Sequence, residues 1–256
     1  NASASSETLM TEAKALVDSK SDGITVFFSA GNLDQLDTSS MQVIEADYQT
    51  SMVAHIPLEP ANALAQFVDG ELHVYSSHQG GSIIPMVISQ FVGVAPEKII
   101  FHPHLVGGGF GKKFQSGVII LASLAALRTK QPVKLIFSRE DDMAFAHPRT
   151  STYQRMSASL DNNKKIKGLK HEIAAGWLKP PYAYIKPIAN GRAKDTDERV
   201  DLFSHTVSDH WYDIENSNVV GYHHKRIEDV VPVGAVRSVS NNYTVFSLES
   251  FIDEIA

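Results

Sequence analysis

The 256-residue sequence contains no cysteine. Disulfides, catalytic thiolates, thiolate zinc sites and protein-bound iron–sulfur clusters are therefore excluded within it. It also has no apolar run of the roughly 18 residues that a membrane span needs. Its first residues do not show the charged-then-apolar pattern of a signal peptide.

Positive charge is scarce relative to negative charge. The chain has 23 lysines and arginines against 29 aspartates and glutamates, which gives a net charge of -6 at pH 7. Domains that bind nucleic acid normally present a basic face, so this balance argues against a nucleic-acid partner. A hydrophobic fraction of 43% is ordinary for a globular protein with a real core.

The apolar pattern predicts an α+β fold, with mixed sheets and helices packed on them. In the middle of the chain the pattern runs twice through strand, glycine-rich loop and helix. The helix N-termini after such loops are potential anion sites. Helices are predicted at 7–19, 83–94, 116–130 and 243–256. Strands are predicted at 24–28, 41–55, 71–77, 98–106 and 131–138, and on either side of a turn at 161–168. The segment 218–230 is strand-like, and 139–150 is interpreted as a polar connection.

Four glycines fall within five positions, 107–111, of the stretch HLVGGGFGKKFQSG, residues 104–117. A Walker A loop is excluded, because Val106 stands at the first required glycine and Lys113 follows the lysine. The dinucleotide fingerprint also fails, since its third glycine falls on Lys112 or Phe114. Glycines remove Cβ atoms from a surface and let backbone N–H groups converge on an anion. Two interpretations stay open: an anion-binding loop, or a tight turn packed against another element.

Five ordered blocks of sequence carry a resemblance to a known family. The chain resembles the large, molybdenum-binding subunit of the xanthine dehydrogenase and aldehyde oxidase family, and it is most similar to the isoquinoline 1-oxidoreductase beta-subunit type. The resemblance covers about residues 43–256. The blocks are AHIPLEPANALA (54–65), DGELHVYSSHQGG (69–81), GVAPEKIIFHPHLVGGGFGKK (93–113), PVKLIFSREDD (132–142) and VPVGAVRSVSNNYTVFSLESFIDEIA (231–256).

The resemblance implies a molybdenum-cofactor-binding-domain-like fold and a cofactor. Such proteins hold molybdenum through the dithiolene of molybdopterin, which is expected here as the cytosine dinucleotide. They hydroxylate an aldehyde or an N-heterocycle carbon of a small-molecule substrate, with water as the oxygen source. Their electrons leave through an iron–sulfur small subunit. A cysteine-free chain fits this division, because the pterin's sulfurs hold the metal.

The resemblance also implies site residues. Gln79 matches a glutamine that hydrogen-bonds near a molybdenum oxygen, and Arg237 matches an arginine of the active-site loop. Lys112 and Lys113 are candidates to balance phosphate charge. The matching cofactor loop consists of Gly107, Gly108, Gly109, Phe110 and Gly111.

No catalytic residue is assigned within this chain. The family's general base is a glutamate in a Gly-x-Gly-Glu motif, which is expected downstream, since the only Gly-Glu here is Gly70-Glu71. We therefore expect a piece of a longer protein, without cofactor and inactive by itself. The expected parts are a truncated segment 1–42 and a partial molybdopterin-binding domain 43–256, in halves 43–140 and 141–256. The location is expected to be periplasmic or cytoplasmic, with the periplasm favoured by the resemblance.

Each site residue also has a purely structural interpretation. Gln79 is placed to cap the helix predicted at 83 or to bond the turn. Arg237 is placed to pair with Glu249 or Asp253. The two lysines are solvated in this interpretation, and Glu59 is a turn or surface residue.

Two other functions stay open. One is a non-catalytic, degenerate binding or assembly module of the same fold. Leu58, His78 and Phe114 depart from the family pattern and favour it. The other is a metal-dependent hydrolase using His102 and His104, which share a face if they lie on one strand.

Overall fold

The computed structural model describes residues 4–20, 24–178, 184–185, 188–189, 192–193, 200–206 and 208–256. The fold is α+β with mixed sheets, as predicted. In chain order its elements are α1 (Ser6–Ser19), β1 (Ile24–Ala30), β2 (Gln42–Thr50), β3 (Asn62–Val68), β4 (Glu71–Ser76), α2 (Ile84–Val92), β5 (Ile99–Pro103), α3 (Gly117–Thr129), β6 (Val133–Ile136), α4 (Arg139–Ala144), β7 (Thr152–Leu160), β8 (Ile166–Ala175), β9 (Tyr184–Ile185), β10 (Ile188–Ala189), β11 (Arg192–Ala193), β12 (Val200–Asp201), β13 (Asn216–His223), α5 (Lys225–Val230) and α6 (Asn241–Ile255).

The four helices predicted from the sequence are present as α1, α2, α3 and α6. The elements longer than two residues that were not predicted are β3, α4 and α5, and the two-residue strands β9–β12 were not predicted either. Strand β3 buries only Ala63 and Ala65 on its inner face, and alanine gives a weak strand signal. Helix α4 falls in the segment interpreted as a polar connection. There, Ser138 Oγ accepts the Asp141 N–H at 3.1 Å, and the acidic first turn suits a helix N-terminus.

The chain forms two compact units. Unit 1 comprises Asn1–Val53 and Pro148–Ala256, and unit 2 comprises Ala54–His147. This division differs from the one expected from the sequence, which set residues 1–42 apart and divided the remainder after residue 140. The reason is long-range strand pairing: β2 pairs with β7 and β1 pairs with β13, so the N-terminal segment completes the sheet of unit 1.

Unit 1 contains a five-stranded sheet in the order β1-β13-β8-β7-β2, in which only β13 and β8 are parallel. Successive side chains of a strand point to opposite faces. Tyr153 of β7 accordingly packs with Val17 of α1, whereas Met156 packs with Leu248 and Phe251 of α6. Helices therefore cover both faces of this sheet, and the strand between them is almost entirely buried.

Unit 2 contains a four-stranded sheet in the order β5-β4-β3-β6. Strands β4 and β5 are parallel and the other pairs are antiparallel. Helices α2 and α3 bury one face, where Leu72 and Val74 contribute to a cluster with Ile84, Ile88 and Ile119. The alternate residues of β4, such as Tyr75, lie on the other face and are only partly buried. Across the described residues of both units, no helix is long and apolar enough to cross a bilayer.

Candidate cofactor site

Two loops of unit 2 leave the sheet at the same edge. Strand β4 ends at Ser76 and β5 ends at Pro103, and these strands are parallel neighbours. In sheets of this kind, the loops beyond the carboxyl ends of adjacent parallel strands are the usual ligand position. The two strand–loop–helix segments found in the sequence therefore bring their glycine-rich loops together.

Gln79 joins the two loops. Its side-chain Oε1 accepts the Gly111 N–H at 2.9 Å, and its own backbone N–H donates to the Lys113 carbonyl at 3.1 Å. The side chain is exposed, and its Nε2 group makes no hydrogen bond to the described residues. The structural interpretation of Gln79 as a cap of α2 is wrong, because no side chain caps that helix. The glutamine thus holds the glycine loop, and its Nε2 group is unpaired among the described residues.

Glu59 holds the other end of the loop. Its Oε2 accepts the Gly107 N–H at 2.9 Å and the Ser77 hydroxyl at 3.0 Å. Its backbone N–H donates to the Gly107 carbonyl at 3.2 Å, and Asn62 Nδ2 donates to its Oε1 at 3.0 Å. Partial burial raises the pKa of Glu59, but hydrogen bonds from Asn62, Gly107 and Lys113 outweigh this and bring the pKa to about 2. The carboxylate is therefore ionised at neutral pH.

The glycines are required by these contacts. A Cβ at position 107 would lie 2.6 Å from Glu59 Cβ, and one at position 109 would lie 2.5 Å from Gln79 Oε1. Gly108 and Gly111 have φ values of +95° and +96°, which other residues rarely adopt. The tight-turn and anion-loop interpretations are thus not exclusive, because the loop is packed on one side and open on the other.

The open side presents unpaired backbone donors. Among the described residues, the N–H groups of Gly108, Gly109 and Phe110 have no hydrogen-bond partner. Phe110 has a φ of +53° and leaves 47% of its surface exposed. Successive N–H groups in such left-handed turns form concave anion sites. The loop therefore offers three N–H donors beside an exposed aromatic ring.

Both sequence interpretations of the lysines are wrong. Lys112 and Lys113 are each only 4% exposed, so they are neither solvated nor placed to reach a phosphate. Lys112 Nζ donates to the Asp142 carbonyl at 2.9 Å and lies 3.6 Å from its Oδ1. Lys113 Nζ lies 3.2 Å from Glu59 Oε2 and donates to a backbone carbonyl. These lysines fix the base of the loop from inside.

Arg237 lies in unit 1, on the connection between α5 and α6. Its side chain is exposed and forms no ion pair among the described residues, so the expected pairing with Glu249 or Asp253 is not present. Glu249 instead accepts the Tyr212 hydroxyl at 2.6 Å. The carbonyl of Arg237 accepts a hydrogen bond from Arg149 Nη1 at 3.3 Å. Its role as an anion ligand stays a prediction.

The two histidines considered as metal ligands do not form a metal centre in the part of the chain that is described. His102 Nε2 is hydrogen-bonded to His73 Nδ1 at 3.0 Å, and its ring stacks on Tyr75 at 4.2 Å. No group of three or more His, Asp or Glu side chains able to hold a metal occurs among the described residues. The geometry gives the hydrolase interpretation no support.

Glu59 was expected to be a turn or surface residue, and it does lie at a bend and is partly exposed. What sequence reasoning missed is its contact with the glycine loop. A signal for it was present, because Glu59 and Asn62 both lie in the block AHIPLEPANALA that carried the resemblance. Spacing alone does not show that this block contacts a loop almost 50 residues further along the chain.

Comparison with known proteins also indicates a cofactor-binding domain. The sequence model of the family described as molybdopterin cofactor-binding domain matches residues 17–256. The chain is 33% identical over 245 residues to a membrane-bound aldehyde dehydrogenase (pyrroloquinoline-quinone) of Gluconacetobacter polyoxogenes, covering 95% of this chain and 31% of that protein. It is 26% identical over 239 residues to the isoquinoline 1-oxidoreductase subunit beta of Brevundimonas diminuta, covering 88% and 28% respectively.

Solved structures show the same fold. Quinoline 2-oxidoreductase from Pseudomonas putida 86 superposes with a TM-score of 0.72 at 19% identity, over 93% of this chain and 30% of that chain. The aldehyde oxidoreductase of Desulfovibrio gigas gives a TM-score of 0.71 at 18% identity, over 91% and 24%. The chain thus spans less than a third of the length of these relatives. Since the family match extends over nearly all of its residues, the chain belongs to the molybdopterin cofactor-binding domain family.

Proposed function

We propose that this chain is part of the molybdenum-cofactor-binding subunit of an oxidoreductase. The reaction proposed is hydroxylation of an aldehyde or an N-heterocycle carbon, with water as the oxygen source. The observation that carries the proposal is the set of three unpaired N–H groups at Gly108, Gly109 and Phe110. Gln79 and Glu59 hold that set open at the edge of the unit 2 sheet.

The residues present fit a molybdopterin. Its oxygens suit the backbone donors of residues 108–110, because a hydrogen bond to a charged group contributes roughly 1.5–3 kcal/mol. Gln79 Nε2 is positioned to donate to a further oxygen, since its Oε1 is occupied by Gly111. Phe110 offers an exposed ring as an apolar wall. The absence of cysteine fits as well, because the pterin brings its own sulfur ligands.

When bound, the molybdenum centre supplies the two-electron redox chemistry. The protein residues described here hold and orient the group. Gly107 and Gly109 let Glu59 and Gln79 approach the loop backbone, which sets the direction of the free N–H groups. No residue of this chain is proposed as the general base, and a glutamate elsewhere in the full-length protein is proposed for that role.

The finer parts of the assignment rest on family resemblance. We propose the cytosine dinucleotide form of the cofactor and an iron–sulfur small subunit as the electron-accepting partner. We propose that this stretch alone holds little or no cofactor and does not turn over substrate. A periplasmic location is proposed over a cytoplasmic one.

A non-catalytic module of the same fold is the alternative. Two of the residues that depart from the family pattern have a packing explanation in the structure. His78 is buried, and its ring meets Phe101 and Phe114 edge to face, at 6.3 Å and 6.2 Å. This packing leaves the glycine loop intact, so the departures do not favour the non-catalytic alternative.

Cofactor analysis of the full-length protein tests the proposal. The name of the Gluconacetobacter relative includes pyrroloquinoline quinone, so the analysis must separate two cofactors. Elemental analysis and the fluorescence of the oxidised pterin are expected to show molybdenum and pterin in equal amounts. A quinone without molybdenum, or a protein that takes up neither after expression with molybdate, would refute the assignment.

A further inference from the structure

Helices α2 and α3 of unit 2 lie side by side on one face of the sheet, where their inner sides share one buried apolar cluster. Their outer sides are apolar as well. Ile83, just before α2, and Met86, in its first turn, leave 44% and 66% of their surface exposed. Leu121 and Leu124 of α3 leave 46% and 36% exposed. We call these four side chains the apolar helix face.

Charged residues are missing around the apolar helix face. The two stretches that contain it, residues 79–96 and 114–127, have no aspartate, glutamate, lysine or arginine. A helix at the surface of a globular protein normally turns charged or polar residues to the solvent, and a helix that is apolar on all sides is usually buried. The face therefore does not have the composition of a surface that stays in water.

The helices that cover the sheet of unit 1 provide a comparison within the same chain. Helix α1 exposes Glu7, Lys14 and Asp18, and α6 exposes Asp253 and Glu254. Both helices also bury an apolar side against their sheet, so packing on a sheet does not by itself remove charge from the outer side of a helix. The lack of charge is particular to α2 and α3, and exposed apolar surface of this kind marks an interaction site.

The chemistry of the apolar helix face favours a permanent partner. Permanent interfaces are more apolar than those that form and dissociate, and charged residues are depleted at the core of an interface. The chain spans less than a third of the length of its relatives. In a protein of their size, more than two thirds of the polypeptide is thus available as a partner that is always present.

We propose that the apolar helix face is a docking surface for another part of the same full-length polypeptide, which covers it with an uncharged, apolar surface of its own. The proposal rests on the proposed function only in that the chain is part of a longer protein. It concerns the side of unit 2 formed by α2 and α3, and the cofactor plays no part in it.

Hydroxyl-radical footprinting of the full-length protein tests the docking surface, with mass spectrometry measuring the oxidation rate of single methionines. Met86 is the probe. Met143 of α4 is the matched control, because it is less exposed than Met86 in this chain and follows the charged residues Glu140 and Asp141. Met86 should be oxidised at roughly a tenth of the rate of Met143, since the core of an interface excludes water as a protein interior does. Equal rates would overturn the proposal.

The same measurement identifies what covers the face. The full-length subunit is labelled alone, in complex with its partner subunit and at several concentrations. Protection of Met86 in the isolated subunit, at every concentration, supports docking within the polypeptide. Protection only in the complex would assign the face to the partner subunit, and protection that grows with concentration would assign it to a second copy, so either result would overturn the proposal. Protection should be equal in protein produced with and without molybdate, so the result does not depend on the cofactor assignment.

A charge placed on the face gives a second measurement. Met86→Glu should lower the thermal midpoint of the full-length protein by at least about 5 °C, because the carboxylate is held out of water without a partner. A negative charge in the first turn of a helix favours the helix itself, so the loss of stability reports the covering of the face. The control Met143→Glu should change the midpoint by less than about 2 °C. Equal midpoints in the two variants would contradict a covered face.

Discussion

Gln79 Oε1 accepts the backbone N–H of Gly111 at 2.9 Å, and this bond connects the loop after β4 with the loop after β5. The two ends of the Gln79 carboxamide have different partners. The oxygen accepts a hydrogen bond from the protein, and the nitrogen has no hydrogen-bond partner among the described residues. The two roles can be separated by mutation.

Gln79→Glu is expected to keep the Gly111 amide protected from hydrogen exchange, because a carboxylate still accepts that bond. It should lose cofactor, since it removes the Nε2 donor and adds a negative charge. Gln79→Leu should lose both the protection of the Gly111 amide and the cofactor. The free energy of opening that hydrogen exchange reports at Gly111 should fall by about 1 kcal/mol. Exchange measured by NMR, together with molybdenum content, checks both variants. Unchanged cofactor content in Gln79→Glu would contradict the donor role.

Glu59→Gln is expected to destabilise unit 2 by about 1–3 kcal/mol at pH 7, because Lys113 then stays buried without its charged partner. The pKa of Glu59 is about 2, below its ordinary value of 4.5. Its contribution is therefore complete above pH 4.5 and is lost as the pH falls toward 2. Urea unfolding of both proteins at pH 7 and at pH 2.5 checks this, and the difference should shrink at the lower pH. A constant difference would show that the charge is not involved.

Acid is expected to destabilise unit 1 through two buried histidines. Burial lowers the pKa of His171 to about 3 and that of His205 to about 4. The unfolded chain binds protons near pH 6.5 while the folded one does not, so stability falls as the pH drops below 6.5. Each histidine should account for about 2 kcal/mol by pH 5. The free energy of unfolding lost between pH 7 and pH 5 should be smaller in His171→Gln than in the wild type. The exposed control His104→Gln should lose as much as the wild type.

Lys112→Met is expected to lower the stability of unit 2 by about 3 kcal/mol, because it removes one partner of a buried ion pair with Asp142. The matched control is Lys134→Met, an exposed lysine on β6 that forms no ion pair within the described part of the chain, which should change stability by less than about 0.5 kcal/mol. Chemical unfolding measures both. Equal effects would mean that the interior position of Lys112 contributes nothing.

The pattern of the sequence predicted the features that depend on local order. Apolar periodicity placed α1, α2, α3 and α6, and the two glycine-rich loops found in the sequence follow adjacent parallel strands of the unit 2 sheet. Gln79 and the loop 107–111 were predicted together, and the structure brings them into contact. The helix predictions were confirmed because each depends on residues near one another in the chain. The assignment of Gln79 and the loop to a cofactor comes from a matched motif and stays a prediction.

The predictions that failed depend on distant contacts. Pairing of β2 with β7 joins residues more than 100 positions apart and moves the unit boundary. The burial of Lys112 and Lys113 depends on Asp142 and Glu59, which the local sequence around the loop does not include. Lysine is rarely buried without a partner, so a solvated position was the natural expectation.

Molybdenum content of the full-length protein carrying Gly109→Ala is the most direct test of the cofactor loop. The new Cβ would lie 2.5 Å from Gln79 Oε1, the end of a flexible side chain, so it displaces Gln79 from Gly111 without unfolding the unit. Gly117→Ala is the matched control, because its Cβ meets nothing within 4 Å. We expect Gly109→Ala to stay folded and lose its molybdenum and pterin while Gly117→Ala retains both. Full molybdenum and pterin content in a folded Gly109→Ala protein would contradict the assignment of this loop as the cofactor site.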